Sequence, residues 1–238
     1  MLRVIDYYSP TAEFYDLVGV QRWTQSDPLL ATALTGTDTA HGPVLDLGAG
    51  TGRSTEVIAR ALPEARVLAV EPSPAMRAAL TSRVVRDEEL RRRVTVVASS
   101  AQEVELPERL SAVVICGVLG YLDRAERAAL WGRLLPRLPS GAPVVVELMA
   151  VKVPQPVAPM RIARQRLGEQ EYEAWLSGEP CGPDRMRWSA TWRVLRDGEA
   201  VREIDVTHEW YTFGLEDLAA ETGLTAKQLT PELGVLLR

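Results

Sequence analysis

The chain has 238 residues, 46% of them hydrophobic, which is enough for one substantial core with an insertion or a small cap. A formal net charge of -5 does not provide the basic face that a polyphosphate backbone demands, so nucleic acid is not expected as a substrate. Cys116 and Cys181 are too few and too far apart for a disulfide framework or a metal site, the start Met1-Leu2-Arg3-Val4-Ile5-Asp6 has no apolar core of signal-peptide length, and no run of about 18 apolar residues occurs. The expectation is a cytoplasmic protein with no metal, no membrane partner and a reducing environment.

The opening segment concentrates aromatics at Tyr7, Tyr8, Phe14 and Tyr15. From residue 44 to 149, short apolar runs alternate with helical patterns, the signature of a parallel sheet with crossover helices. The runs fall at 44–47, 67–70, 94–98, 112–116 and 143–149. Between 53 and 62, Val57, Ile58, Ala61 and Leu62 share a helix face that Pro63 ends, Ser73-Pro74 offers an N-cap followed by proline, and Asp123 with Glu126 has capping-box spacing. The mixed-sign run at 86–93 reads as the solvated face of a short helix.

The sharpest motif is Val44-Leu45-Asp46-Leu47-Gly48-Ala49-Gly50-Thr51-Gly52, a strand running into a glycine-rich turn that opens a helix. Bare backbone and unpaired helix N–H groups let a ligand lie close. A dinucleotide fingerprint needs glycine at 53, where Arg53 stands, so the spacing is not that of a nicotinamide site. An acid ahead of the glycines suits an ammonium or sulfonium better than a pyrophosphate. Glu71 ends the next apolar run, 19 residues after Gly52, where a doubly wound fold puts an acid on ribose hydroxyls.

After Met149 the pattern changes, because residues 151–159 contain three prolines. Residues 161–176 read as a helix, and 188–196 and 199–211 as two strands around Asp197-Gly198. A three-residue loop, Arg196-Asp197-Gly198, with Gly198 left-handed, would align Trp188, Ala190 and Trp192 with Ile204, Val206, His208 and Trp210. Residues 215–221 read as a helix stopped by Gly223, and 224–229 and 235–237 as edge strands. The predicted organisation is an α/β, doubly wound core over 1–150 and 214–238, with an inserted substrate-side cap of a helix plus an antiparallel β-hairpin over 151–213.

These motifs resemble the class I S-adenosylmethionine-dependent methyltransferases, whose Rossmann-like sheet is seven-stranded and mostly parallel. The resemblance implies S-adenosylmethionine as cofactor, with Asp46, Gly48, Ala49, Gly50, Thr51 and Gly52 around its methionine part, Glu71 on the ribose, and Pro72 and Met76 on the adenine. It puts Ser99, Ser100, Ala101 and Gln102 at the adenine amino group, with Ser100 in place of the family's usual acid. The Cys116-Gly117-Val118-Leu119-Gly120-Tyr121-Leu122 stretch corresponds to the loop after the fourth strand, so Cys116 and Gly117 are assigned to the cofactor. In that family an N-terminal segment folds over the cofactor, which implicates Tyr8 and Tyr15. Tyr7, Trp23, Leu119, Tyr121, Trp175, Trp188, Trp192 and Trp210 are the substrate-side candidates, although most of the cap aromatics must serve as packing.

Methyl transfer needs alignment and exclusion of water more than it needs a metal or a covalent residue. An amine acceptor need only arrive neutral, whereas a hydroxyl needs a base, for which His208, Glu147 and Tyr121 are the candidates. The loop after the fourth strand and the antiparallel insertion are similar to amino-sugar N-methyltransferases. Tyr15-Asp16-Leu17-Val18, Glu71-Pro72-Ser73-Pro74-Ala75-Met76 and Pro183-Asp184-Arg185-Met186-Arg187-Trp188 look more like enzymes that N-methylate the amino terminus of ribosomally made peptides, the daptide type in particular. The expectation is a monomer or homodimer methylating a small-molecule or peptide amine. An O-methyltransferase of a natural product and a protein that binds the cofactor without methylating are the alternatives.

Overall fold

A computed structural model describes residues 7–238, apart from the side chains of residues 18 and 20–22; the leader reading made on residues 1–6 lies outside the described residues. A short 3-10 turn, Ser9–Thr11, leads into α1 (Ala12–Leu34), a long helix for which the sequence reading had named only its aromatics. The core then alternates β1 (Val44–Leu47), α2 (Arg53–Ala61), β2 (Val67–Val70), α3 (Pro74–Arg86), α4 (Glu88–Arg93), β3 (Val94–Val97), β4 (Ala112–Ile115), α5 (Arg124–Leu134) and β5 (Pro143–Glu147). Four antiparallel strands follow, β6 (Val157–Leu167), β7 (Gln170–Pro180), β8 (Arg185–Arg196) and β9 (Glu199–Tyr211), and the chain closes with α6 (Leu215–Thr222), β10 (Thr225–Thr230) and β11 (Leu233–Leu237).

The larger sheet has seven strands in the order β10-β11-β5-β4-β1-β2-β3, with β11 running antiparallel to β5 and β10. The parallel strands are apolar throughout because both faces are covered. Leu45, Leu47, Val113, Ile115, Val144 and Val146 meet α5 and α6, while Val44, Val67, Ala112, Val114 and Val145 meet the inner sides of α1, α2 and α3. The expected capping box forms, with Asp123 accepting from the Glu126 amide while Glu126 accepts from the Asp123 amide, whereas Ser73 stands at the N-cap of α3 ahead of Pro74 without a side-chain bond to the helix. The charged run at 86–93 is the predicted short helix, but Arg93 is not simply solvated, since its guanidinium donates to the carbonyls of Ala59 in the last turn of α2 and of Leu62 and Ala65 beyond it.

Three expectations are corrected. Residues 161–176 are not a helix but parts of β6 and β7, so the cap is a four-stranded sheet, β6-β7-β8-β9. Its Ala, Arg, Gln, Glu and Leu content favours a helix locally, yet Gly168 turns the chain with a φ of 62°, Leu167 pairs with Gln170, and Arg161 bonds Glu173 across the strands. The β8–β9 connection has two residues, not three: Arg196 pairs with Glu199, and Asp197 and Gly198 both have positive φ, 52° and 86°. The predicted sharing of one face by Trp188, Ala190 and Trp192 with Ile204, Val206, His208 and Trp210 nevertheless holds, because a bulge between Val194 and Leu195 supplies the change of parity further along the ladder. Finally, β11 is no edge strand; it lies between β5 and β10, and β10 forms the edge.

Candidate active site

The C-terminal ends of the parallel strands open into a cavity of about 1400 Å³, larger than a single ligand usually occupies. At its floor the turn after β1 is tied down by the Gly48 and Ala49 amides, which donate to the Val70 carbonyl at 2.9 and 3.0 Å. Gly48, Ala49, Gly50 and Thr51 line the cavity, whereas Gly52 does not. Two of the glycines are required for different reasons. At Gly50, φ is 55° and a Cβ would meet nothing nearer than the Gly48 carbonyl at 4.0 Å, so that face is open to a ligand. At Gly52, φ is 90° and a Cβ would lie 2.5 Å from Leu80 Cδ1, so that position serves the packing of α2 on α3.

Asp46 is the main departure at the floor. Residues alternate along β1, so its side chain points with Val44 toward α2, where it accepts hydrogen bonds from the Ser54 hydroxyl at 2.9 and 2.8 Å and from Thr55 at 2.5 Å. It is fully buried and does not line the cavity. Burial pushes its carboxyl up to about 6, against the pull of those hydroxyls. Its place is to anchor the first turn of α2 beneath the glycine turn, not to meet a cationic ligand directly.

Glu71, at the end of β2, is 4% exposed and lies in the cavity wall. Its Oε2 accepts from the Gly50 amide at 2.9 Å and its Oε1 from the Ser73 amide at 2.8 Å. The backbone thus orients this carboxylate in the cavity wall. Pro72, Met76, Ser99, Ser100, Ala101, Gln102, Cys116 and Gly117 all line the same cavity, as anticipated. Ser100 bonds within its own turn, 3.2 Å from Glu103 Oε2.

The N-terminal aromatics form the roof. Tyr7, Tyr8, Tyr15 and Trp23 line the cavity together with Tyr121, which ends the 3-10 turn Leu119–Tyr121. The hydroxyls of Tyr8 and Tyr121 lie 2.6 Å apart, and Tyr7 stacks on Tyr121 at 6.2 Å between centroids. Burial raises all three buried phenols: Tyr121 to about 12, with Tyr8 and Tyr15 also well above the usual range. They are hydrogen-bonding groups at neutral pH and not proton acceptors. Asp16 on α1 secures this roof by accepting from the Thr51 hydroxyl and from Arg83, both at 2.6 Å.

On the cap side the structure sorts the candidates differently from the sequence. Trp188 and Trp210 pack with Met186; Trp192 packs on Phe14 and stacks on Tyr15; Trp175 donates to Glu173 at 3.0 Å; Leu119 is in the main core. None of these five lines the cavity. Trp210 lies against the bare face of Gly120, edge-on to Tyr121 at 4.8 Å, so the cap is seated on the turn that presents Tyr121. His208 also stays out of the lining, against the rings of Tyr7, Tyr121 and Trp210, and burial lowers it to about 4. Of the three proposed bases, Tyr121 and Glu147 line the cavity.

Several lining residues gave no signal in the sequence. Arg53 holds Asp27 at 3.0 and 2.6 Å and lies over the Trp23 ring at 4.7 Å; Arg185 bonds Glu209 at 3.0 Å beside Tyr211; and the turn between β10 and β11 brings Glu232 to the rim. Only the prolongation of α1 and the long returns of the cap and C-terminus bring them there. Among the described residues no group of three or more His, Cys, Asp or Glu could hold a metal, and no helix is long and apolar enough to cross a membrane.

Residues 44–141 match a family described as a methyltransferase domain, a span that holds the glycine turn, Glu71, the 99–102 segment and the loop after β4. No curated protein matches the chain. Among solved structures, the amino pentose methyltransferase CalS10 of Micromonospora echinaspora, solved with SAM bound, superposes with a TM-score of 0.68 at 20% identity, covering 92% of this chain and 90% of its own. DesVI of Streptomyces venezuelae gives 0.72 at 19% identity, with 95% and 97% covered. The glycopeptide N-methyltransferase MtfA, in complex with S-adenosylmethionine, gives 0.56 at 20%, with 88% and 90% covered. At these identities the likeness establishes a shared Rossmann-like fold.

Proposed function

With a methyltransferase domain over residues 44–141 as the premise, we propose that the protein is an S-adenosylmethionine-dependent N-methyltransferase whose acceptor is an amine of a natural product, such as the amino terminus of a ribosomally made peptide. When bound, S-adenosylmethionine supplies a methyl group already activated by its sulfonium. The residues present fit it: Glu71 offers acceptors to the ribose hydroxyls, Gly50 bare backbone to the methionine part, and Pro72 and Met76 apolar surface to the adenine. The rings of Tyr7, Tyr8, Tyr15 and Tyr121 would shield the reacting centre from water, and the hydrogen bond between the Tyr8 and Tyr121 hydroxyls ties two of them together.

The observation that carries the amine reading is the chemistry of the lining. The imidazole nearest the cavity, His208, stands outside it, and the phenols are held protonated by burial, while carboxylates line the acceptor side. Such a wall suits an acceptor that needs alignment and a counter-charge more than one that needs a strong base. An amino-sugar acceptor is the second reading, supported by the fold shared with an amino pentose methyltransferase.

The test is mass spectrometry after incubation with deuteromethyl-labelled cofactor and two probes, a synthetic peptide with a free amino terminus and a nucleotide-linked amino sugar. Label on the peptide, and none on its N-acetylated form, is expected. Label on the sugar alone would favour the second reading. Transfer only to hydroxyl compounds would overturn N-methylation.

A further inference from the structure

We propose that Glu147 and Glu232 select the acceptor by its charge, as a pair of carboxylates set beside the nitrogen that receives the methyl group; this rests on the methyltransferase reading above. The strand order lays the ligands out in a row. Moving across the sheet from β3 through β2 and β1 to β4, the cavity is lined in turn by Ser99 and its neighbours, by Glu71, by the glycine turn, and by Cys116 and Gly117. Adenine, ribose and methionine side chain fit that sequence, so the reactive end lies by β4. The next strand ends belong to the acceptor.

Those ends carry the two glutamates. Glu147 closes β5, and its Oε2 lies 3.9 Å from where a Cβ on Gly117 would be, hard against the loop after β4. Glu232 sits in the turn between β10 and β11, one strand spacing further on, roughly 5 Å. The backbone fixes the two relative to each other: Glu147 pairs with Leu233, and the Leu148 amide donates to the Glu232 carbonyl at 2.8 Å. The same cavity is lined by the stacked rings of Tyr7 and Tyr121, whose faces also favour a cation.

This arrangement matches the charge flow of N-methylation. An acceptor drawn in as an ammonium first gives up one proton to solvent; its lone pair then forms the C–N bond as the C–S pair returns to sulfur, so positive charge passes back to the nitrogen, which releases a second proton to solvent afterwards. A carboxylate fixed beside that nitrogen stabilises the charge as it develops. Neutral hydroxyl acceptors gain less from it on binding.

The experiment needs no acceptor. Sinefungin carries an ammonium-bearing carbon where the cofactor has its methyl sulfonium, whereas S-adenosylhomocysteine is neutral at that point. Calorimetry of both ligands on the wild type, Glu147→Gln, Glu147→Asp and Glu232→Gln reads the field at the reacting position directly. Glu147→Gln should lose about tenfold or more in sinefungin affinity and stay within about twofold for S-adenosylhomocysteine, Glu232→Gln should lose about threefold for sinefungin alone, and Glu147→Asp should keep the preference. Equal losses for both ligands, or sinefungin affinity unchanged in both glutamine variants, would overturn the proposal. A wild type that binds neither ligand would instead overturn the cofactor reading on which it rests.

Discussion

Glu71 is held by two backbone amides at 2.8 and 2.9 Å, so its carboxylate is oriented before any ligand arrives. Glu71→Ala removes the acceptors for a ribose diol and should weaken S-adenosylhomocysteine binding by about 2 kcal/mol or more, read by calorimetry. An unchanged affinity would take Glu71 out of the site. The neighbouring glycines separate binding from folding. Gly50→Val should abolish ligand binding, because its side chain would project into open cavity, at some cost in strain at a φ of 55°, whereas Gly52→Ala, at a φ of 90°, also meets Leu80 at 2.5 Å and should lower the melting temperature with less effect on binding. Circular dichroism with calorimetry on the two variants checks this contrast. His208→Ala should cost less than about tenfold in rate on an amine acceptor, since the imidazole lies outside the lining; a loss of about a hundredfold or more in a folded variant with normal cofactor affinity would instead point to a general base and to a hydroxyl acceptor.

Between elements, a buried polar tie joins Arg127 of α5 to Glu221 of α6, both side chains 7% exposed. The guanidinium donates to Glu221 at 2.6, 3.1 and 3.2 Å, to the Leu122 carbonyl at 2.9 Å, and lies over the Phe213 ring at 4.5 Å; Trp131 Nε1 donates to the same carboxylate at 3.3 Å. One side chain thus joins α5, α6 and the turn that ends in Tyr121. Arg127→Met leaves a buried carboxylate without its main partner and should cost about 3–5 kcal/mol in urea denaturation, while the double variant Arg127→Met/Glu221→Met should recover much of that loss. Additive losses would mean that the pair is not coupled. Nothing in the spacing of residues 127 and 221 announces this tie. By contrast, the capping box at Asp123 and Glu126 was legible, because both partners lie within one turn of helix.

For the molecule as a whole, two buried groups give opposite dependences on pH. Burial lowers His208 from about 6.5 to about 4, so between those values the folded state binds fewer protons than the unfolded chain and stability is lost as pH falls. Burial raises Asp46 from about 4 to about 6, so in that window the folded state binds more protons and stability is lost as pH rises. Relative to wild type, His208→Gln should gain stability on going from pH 6.5 to 4, and Asp46→Asn should gain it on going from pH 4 to 6, each by on the order of 3 kcal/mol. Parallel pH profiles of denaturation midpoint for all three proteins would sink both assignments. The sequence by itself determined the parallel core, because strands covered on both faces must be apolar throughout, and it marked the glycine turn and Glu71, because their chemistry and spacing are local, while the tyrosines of the roof came only from the family resemblance. It also put Trp188, Ala190 and Trp192 on one face with Ile204, Val206, His208 and Trp210 correctly, though through the wrong turn. Only the tertiary structure decided that residues 157–180 are strands, since their helix-favouring composition yields to cross-strand pairing and to packing on α1. It alone turned Asp46 toward α2 and the tryptophans of the cap away from the cavity, and it brought Arg185, Glu209 and Glu232 to the rim, because which face a side chain takes and which distant segment returns beside it are set by packing that no local pattern encodes.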